Sequence, residues 1–302
     1  MVVFGCGYIG GEVARQAVAN GAHVTALTRN LDTAASLRSV GIQTVVADLA
    51  GREWHDKIDG EVDYVLNAVS SGGGGKDGYV RSYFDGMNSM LDWANGAKPH
   101  TAVYTSSTSV YPQDGGVIVD EGAPTVGLGE LPQVLLDTEN LLREHCNRPP
   151  SGDRMQVAGA RSFQRCFILR LAGIYGPDRR HLVDQVRSGT VSGLGDHHLN
   201  LAHRDDIVGA IFAAFSAPAG VDGGIFNVAD DGAAKKETVV RWLAEQLGLP
   251  LPIFTGVPAT GRRTVTPDRI ISNGKLKTVL GWKAKYPTFR EGYKNMLAPS
   301  SE

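Results

Sequence analysis

The chain has 302 residues, enough for one large domain or two modest ones. Its net charge of −2 argues against nucleic acid or a membrane surface as a partner, and no apolar run reaches the length of a bilayer span. Apolar residues at 42% and charged residues at 21% leave the class of an ordinary globular protein with a sizeable core. The first apolar run, Val2 to Phe4, breaks into Gly5-Cys6-Gly7-Tyr8-Ile9-Gly10. An amphipathic stretch follows, with Ile9, Val13 and Ala17 on one helical face, and it stops at Asn20-Gly21. The spacing predicts a strand, a tight glycine turn and a helix. Gly5 permits the turn, Gly7 lets backbone approach a pyrophosphate, and Gly10 lets helix and strand pack closely. The next strand, His23 to Thr28, makes this a dinucleotide-binding unit and not an isolated turn.

That second strand ends at Thr28-Arg29, about twenty residues past the turn, where the ribose is read. An NAD site expects Asp or Glu there. This chain has a guanidinium, which pairs with a 2′-phosphate, so the residues favour NADP over NAD. Strand three is expected over residues 44–49, with Asp48 and Leu49 at its carboxyl end, and strand four over 64–70. The glycine run Gly72 to Gly75 reads as a flexible loop, because no Gly-Lys-Ser/Thr closes it as a phosphate loop. One helix carrying Val80, Phe84, Met87 and Leu91 then leads to strand five, 101–105, which runs into Ser106-Ser107-Thr108-Ser109-Val110-Tyr111. A helix over 131–146, a polar loop over 147–164, strand six over 166–171, and helices over 207–215 and 236–247 complete the reading. Strands alternating with helices predict an α/β fold with a doubly wound parallel sheet.

From strand five onward the chain resembles the extended short-chain dehydrogenase/reductase group, of the sugar-nucleotide epimerase/dehydratase type. Ser106-Ser-x-x-Val-Tyr111 carries the likeness, with Arg170-Leu-Ala-Gly-Ile-Tyr-Gly-Pro177 and His203-Arg-Asp-Asp206. Phe226-Asn-Val-Ala-Asp230 and Asn273-Gly-Lys-Leu-Lys with Leu280-Gly-Trp282 follow in the same order. The resemblance implies a Rossmann-type core over residues 1–172 and a small carboxyl-terminal substrate lobe over 173–302, with part of 201–228 packing back on the core. It implies that Gly5, Gly7, Tyr8, Ile9, Gly10, Thr28 and Arg29 hold the cofactor's phosphate end. Asp48 and Leu49 would lie beside the adenine, Ala68 and Val69 beside the ribose, and Ala172, Gly173 and Ile174 near the nicotinamide. Ser107 matches the Ser/Thr of the family's catalytic group. A small-molecule substrate is expected, held by a monomer or homodimer.

The family's chemistry uses Tyr-x-x-x-Lys on the helix after strand five, the tyrosine relaying a proton while hydride moves. None of the nine tyrosines has lysine four residues later. Thr138-Glu139 matches the end of that motif, which puts Leu131 and Leu135 in the places of the tyrosine and lysine. Such chains resemble the atypical members of the superfamily. One reading is an oxidoreductase or epimerase acting on a small polar, nucleotide-sugar-like substrate, with Ser107, Tyr111 or a group of the second lobe supplying the proton. The alternative is a non-catalytic NADP(H)-binding regulator or scaffold, and a third reading is isomerisation or elimination on a substrate whose own groups carry the proton.

Other features carry weaker expectations. Tyr111 reaches a substrate or packs its ring locally. His197, His198, His203 and Asp205-Asp206 fit no zinc spacing, so no metal is expected, and the two aspartates read as the start of a helix. Cys6 lies at a helix N-terminus that lowers a thiol's pKa, which suggests oxidation-sensitive cofactor binding. Cys6, Cys146 and Cys166 are too few and scattered for a disulfide framework. With no signal peptide before strand one, a reducing, cytoplasmic compartment is the default expectation. Arg154, Arg161 and Arg165 read as solvated. The pairs Arg179-Arg180 and Arg262-Arg263 read equally as phosphate ligands or solvated charge.

Overall fold

A computed structural model of the chain describes residues 1–146, 163–257 and 266–297. Strands β1 (Val2–Phe4), β2 (Thr25–Thr28), β3 (Gln43–Val46) and β4 (Tyr64–Asn67) alternate with helices α1 (Gly10–Ala19) and α2 (Leu31–Arg38). Helices α3 (Gly75–Tyr79) and α4 (Gly86–Ala97) follow, then β5 (Thr101–Ser107), β6 (Val117–Val119), α5 (Glu130–Cys146) and β7 (Arg165–Leu171). The carboxyl-terminal part contains β8 (Gly173–Tyr175), α6 (His181–Arg187), β9 (Thr190–Val191), β10 (His198–Leu199) and β11 (Leu201–His203). It continues through α7 (Arg204–Phe215), β12 (Gly223–Val228), β13 (Ala234–Lys235), α8 (Lys236–Leu247) and β14 (Ile253–Phe254). The last elements are β15 (Arg269–Ile271), α9 (Gly274–Leu280) and α10 (Phe289–Leu297). No helix among the described residues is long and apolar enough to cross a membrane.

Two compact units emerge: residues 1–110, 127–170 and 210–226 form the first, and residues 111–126, 171–209 and 227–302 the second. The first is framed by a seven-stranded sheet in the order β12-β7-β5-β4-β1-β2-β3. Its β1–β2, β1–β4, β2–β3 and β4–β5 pairs are all parallel. The reversal of strand order at β1 makes this a doubly wound, Rossmann-type α/β fold, whose ligand crevice lies at the carboxyl ends of β1 and β4. Strands such as β1 are buried throughout, as a sheet covered on both faces requires. Beneath them Phe4 meets Trp54 and Trp93 at ring distances of 4.9 and 5.6 Å. Both indole N–H groups are satisfied, by Leu49 O and Ile58 O, so these large rings bury no orphaned donor.

Three local features differ from the sequence expectation. The helix expected around Val80 is three pieces, α3, a π-helical turn over Val80–Asp85, and α4. Cys146 and Cys166, expected to be unpaired, are joined as a disulfide. A sequence separation of 20 hides a pairing that depends on α5 ending beside the start of β7. Arg165, expected to be solvated, donates to Ala217 O at 2.8 Å and Val221 O at 2.9 Å, because the turn after α7 presents carbonyls to it. Arg154, Arg161, Arg262 and Arg263 lie outside the described residues, as does most of the expected loop over 147–164.

A separate core organises the second unit, where Val183, Val186, Val191, Val239, Val240, Leu243, Phe289 and Tyr293 pack together. Parallel pairs β8–β11 and β6–β15 give it short two-stranded ribbons. Helix α8 spans the expected residues and stops at Gly248, whose φ of 65° admits the left-handed cap that a side chain resists.

Candidate functional site

The glycine turn closes the carboxyl end of β1. Gly5 has a φ of 83°, and a Cβ there would lie 2.6 Å from the Cα and N of Val69. The turn and the end of β4 therefore touch backbone to backbone, which brings Gly5 together with Ala68 and Val69. Gly10 abuts Gly5 O so closely that any side chain would collide with it, so α1 packs against the turn only because residue 10 is glycine. Gly7 differs from both: it is exposed, and no protein atom lies within 4 Å of the place its Cβ would take. An open cradle thus lies ahead of a ten-residue helix whose N-cap, Ile9, supplies no side-chain hydrogen bond. Helix N-terminal N–H groups and their dipole favour an anion there. These residues fit a dinucleotide pyrophosphate. Tyr8 is half-buried beside them and Ile9 is buried.

Strand β2 ends beside this turn, with Gly5 N donating to Leu27 O at 3.0 Å, and β3 pairs with β2 on its far side. Thr28 is buried and its Oγ1 accepts from Asn30 N at 3.2 Å, which starts α2. Arg29 extends from it, exposed, with Nη1 3.9 Å from Asp48 Oδ2. Asp48 lies two residues beyond β3 and its Oδ1 accepts from Ala50 N at 3.1 Å. Leu49 is buried, its carbonyl receiving the Trp54 indole N–H. The expected adenine-end residues therefore do converge. Ala172, Gly173 and Ile174 belong to the second unit, where Gly173 N donates to Asn200 O at 2.9 Å in the β8–β11 ribbon.

Of the two candidate catalytic residues, Ser107 ends β5 in the first unit, half-buried, with its Oγ accepting from Ser109 N at 3.1 Å. Tyr111 is in the second unit, buried, and its hydroxyl donates to Asn227 Oδ1 at 2.8 Å. Leu131 and Leu135 both lie on α5, the first half-buried and the second buried. Further along α5, Glu139 is fully buried and receives Arg170 through both Nε and Nη2, the latter at 2.6 Å, together with the Ser106 hydroxyl at 2.5 Å.

Cys6 corrects one expectation. Its thiol is buried, donates to Val3 O and is pushed up to about 12 by desolvation. The side chain points into the sheet, where burial outweighs the helix terminus, so Cys6 is no reactive thiolate.

Polar groups that the sequence did not bring together meet inside the second unit. Tyr175, His203 and Asp230 are buried, and Tyr175 Oη, His203 Nε2 and Asp230 Oδ2 have no hydrogen-bond partner. His203 packs against the tilted ring of Tyr286 at 4.1 Å and meets Tyr175 edge-on at 5.2 Å, while Tyr175 Oη is wedged against Gly292. His203 Nδ1 accepts from Asp205 N, which puts the proton of the neutral ring on Nε2. Burial pushes the imidazole down to about 4 and the Asp230 carboxyl up to about 7. Asp206 is raised to about 6 by burial even though the N–H groups of Lys285 and Tyr286 donate to it. Expected in its own helix's first turn, it lies there and holds a distant loop. On the surface, Asp268 receives His198 Nδ1 at 2.6 Å and Lys235 Nζ at 2.7 Å. Among the described residues no group of three or more His, Cys, Asp or Glu side chains is arranged to hold a metal.

This cluster fixes a pH signature. The unfolded chain loses the Asp230 proton near pH 4, while the folded chain keeps it until about 7. Stability from this group is therefore full below pH 4 and is lost as pH rises toward 7. Asp230→Asn is expected to gain stability relative to the natural chain across that window, by at most ~4 kcal/mol. Urea melts of both proteins from pH 4 to 8 check it, and parallel curves would refute it.

The profile of the NAD dependent epimerase/dehydratase family matches residues 1–128. Protein YeeZ of Escherichia coli (strain K12) is 26% identical over 294 residues, spanning 95% of this chain and 96% of that protein. A putative NAD-dependent epimerase/dehydratase from Methylobacillus flagellatus superposes with a TM-score of 0.72 at 24% identity, over 98% of this chain and 96% of that one. The UDP-glucuronic acid 4-epimerase of Bacillus cereus, in complex with UDP-glucuronic acid and NAD, gives 0.77 at 18% identity, over 97% and 96%. At these identities the two structural likenesses establish the fold.

Proposed function

We propose that the chain, whose residues 1–128 match the model of the NAD dependent epimerase/dehydratase family, binds NADP(H) and is an oxidoreductase or epimerase. Its substrate would be a small, polar, nucleotide-sugar-like molecule. The open cradle at Gly7, ahead of α1 and against the end of β4, is the observation that carries this reading. The presence of Arg29 where a carboxylate would accept from a ribose hydroxyl supports NADP over NAD. The Bacillus cereus protein, of like fold, holds UDP-glucuronic acid and NAD, which supports the substrate class.

The nicotinamide, when bound, supplies or accepts a hydride. The chain's part is to bind, orient and manage a proton. Gly5, Gly7, Tyr8, Ile9 and Gly10 would receive the pyrophosphate, Arg29 the 2′-phosphate, Asp48 and Leu49 the adenine, and Ala68 and Val69 the ribose. Ala172, Gly173 and Ile174 would address the nicotinamide end. Ser107, with a half-buried hydroxyl, is the group assigned to hydrogen-bond the substrate oxygen. Tyr111 donates a hydrogen bond to Asn227 Oδ1 on β12, so its role in this reading is structural.

The two leucines on α5 favour a second reading, a non-catalytic NADP(H)-binding regulator or scaffold. Neither side chain can relay a proton. Titration of NADPH and NADH into the purified protein, followed by reduced-nicotinamide fluorescence, is the first test. Tight NADPH binding is expected, and binding of neither would end both readings. A screen of nucleotide sugars for NADP-dependent turnover then separates enzyme from binder. Arg29→Ala is expected to weaken NADPH by roughly 10- to 100-fold and NADH by less than about twofold. Equal weakening of the two would remove the 2′-phosphate assignment.

A further inference from the structure

Arg81 is 33 residues from Asp48 in the chain, yet its Nε donates to Asp48 Oδ2 at 3.0 Å. This is the same oxygen that Arg29 Nη1 approaches at 3.9 Å. Two guanidinium groups, from the end of β2 and from the π-helical turn after α3, thus meet on one carboxylate oxygen at the adenine end of the crevice. The post that gathers them is fixed, since Asp48 Oδ1 is tied to Ala50 N and its side chain is only 23% exposed. Room is made as well. Gly72 has a φ of 64°, and a Cβ there would lie 3.0 Å from Arg29 Nη2, so the glycine loop lets the guanidinium lie down against it.

Stability alone does not account for this. Arg81 is 62% exposed and Arg29 53%, and exposed ion pairs contribute little to folding. The two cations also repel each other, and their approach is favourable only through the shared anion. One carboxylate leaves the group with a net charge of +1 and with guanidinium N–H donors beyond the one that Asp48 accepts. A dianionic phosphate complements that arrangement, and a neutral hydroxyl does not. The π-helical turn is a further sign, because such turns are rare and frequent at functional sites, and this one carries Arg81.

We propose that Arg81 is a second specificity-determining residue for the 2′-phosphate of NADP(H), forming with Arg29 a two-arginine clamp that Asp48 holds in register. The clamp rests on the NADP reading above. Arg81 comes from the π-helical turn and Arg29 from the end of β2, so phosphate oxygens are met from two elements instead of one.

The test is a fluorescence titration of NADPH and NADH into the natural chain, Arg81→Gln, Arg81→Lys and Arg29→Gln. Adenosine 2′,5′-bisphosphate against adenosine 5′-monophosphate serves as a second probe pair without the nicotinamide. Circular dichroism melts confirm that each variant is folded. Arg81→Gln is expected to weaken NADPH and the 2′,5′-bisphosphate by roughly 10- to 100-fold and to leave NADH and the monophosphate within about twofold. Arg81→Lys, which keeps the charge without the planar fork, is expected to fall between. If the natural chain prefers NADPH and only Arg29→Gln removes that preference, Arg81 has no such role and the NADP reading stands. Equal weakening of all four ligands by Arg81→Gln would also overturn the clamp. If the natural chain binds NADH as tightly as NADPH, the NADP reading falls and the clamp falls with it.

Discussion

Gly7→Val is expected to abolish binding of NADPH and NADH alike while leaving the melting temperature of the protein nearly unchanged. The open position beside Gly7 is the reason. A Cβ there would meet no atom outside its chain neighbours within 4 Å, so a side chain at this position costs the fold little. It fills the volume that a pyrophosphate needs to reach the backbone at the start of α1. Gly10→Val is the contrasting variant. Its side chain would strike Gly5 O, in a turn already pressed against Val69, so folding and binding are lost together. Thermal melts beside nicotinamide titrations distinguish the two. A Gly7→Val protein that still binds either dinucleotide would show that the cradle is not the pyrophosphate site.

Arg170→Met is expected to destabilise the first unit strongly. Glu139 is fully buried, and its carboxylate depends on Arg170 Nε and Nη2 and on the Ser106 hydroxyl. Removing one partner of a buried ion pair strands the other charge and costs about 3–5 kcal/mol. For a unit of this size that lowers Tm by roughly 10 °C. The double variant Arg170→Met, Glu139→Leu removes both charges, and it is expected to recover most of the loss because no stranded charge remains. Urea melts of the three proteins form the cycle. If the single variant melts like the natural chain, the pair contributes nothing, and α5 is held against β5 and β7 by apolar packing alone.

Residue by residue, the legible part of the site is the part whose chemistry is local. Gly5, Gly7 and Gly10 act within one turn, and a strand and a helix flank them at fixed distance, so spacing alone announces the arrangement. Arg29 was readable for the same reason, because the length of α1 and the turn after it sets the distance from the glycines to the end of β2. Helix α8 was readable from its apolar period and its terminal glycine, Gly248. The ends of strands were less so. β3 stops at Val46, two residues before Asp48, because strand ends are decided by pairing with β2 and not by composition.

The groups that escaped the sequence are those joined by long-range packing. Arg81 reaches Asp48 from 33 residues away in the chain, and Asp230, His203 and Tyr175 share a buried cluster only because β8, β11 and the segment after β12 converge. The Cys146–Cys166 disulfide and the high pKa of Cys6 belong to the same class, since both depend on what lies beside the residue in space. The sequence by itself determined that this chain folds as a doubly wound sheet with a dinucleotide turn at the end of its first strand, because periodicity and glycine stereochemistry are properties of neighbours in the chain. Only the tertiary structure decided which charges meet, which are buried and which proton each holds. Desolvation and Coulomb forces act through distance in space, and the order of residues does not encode that distance one position at a time.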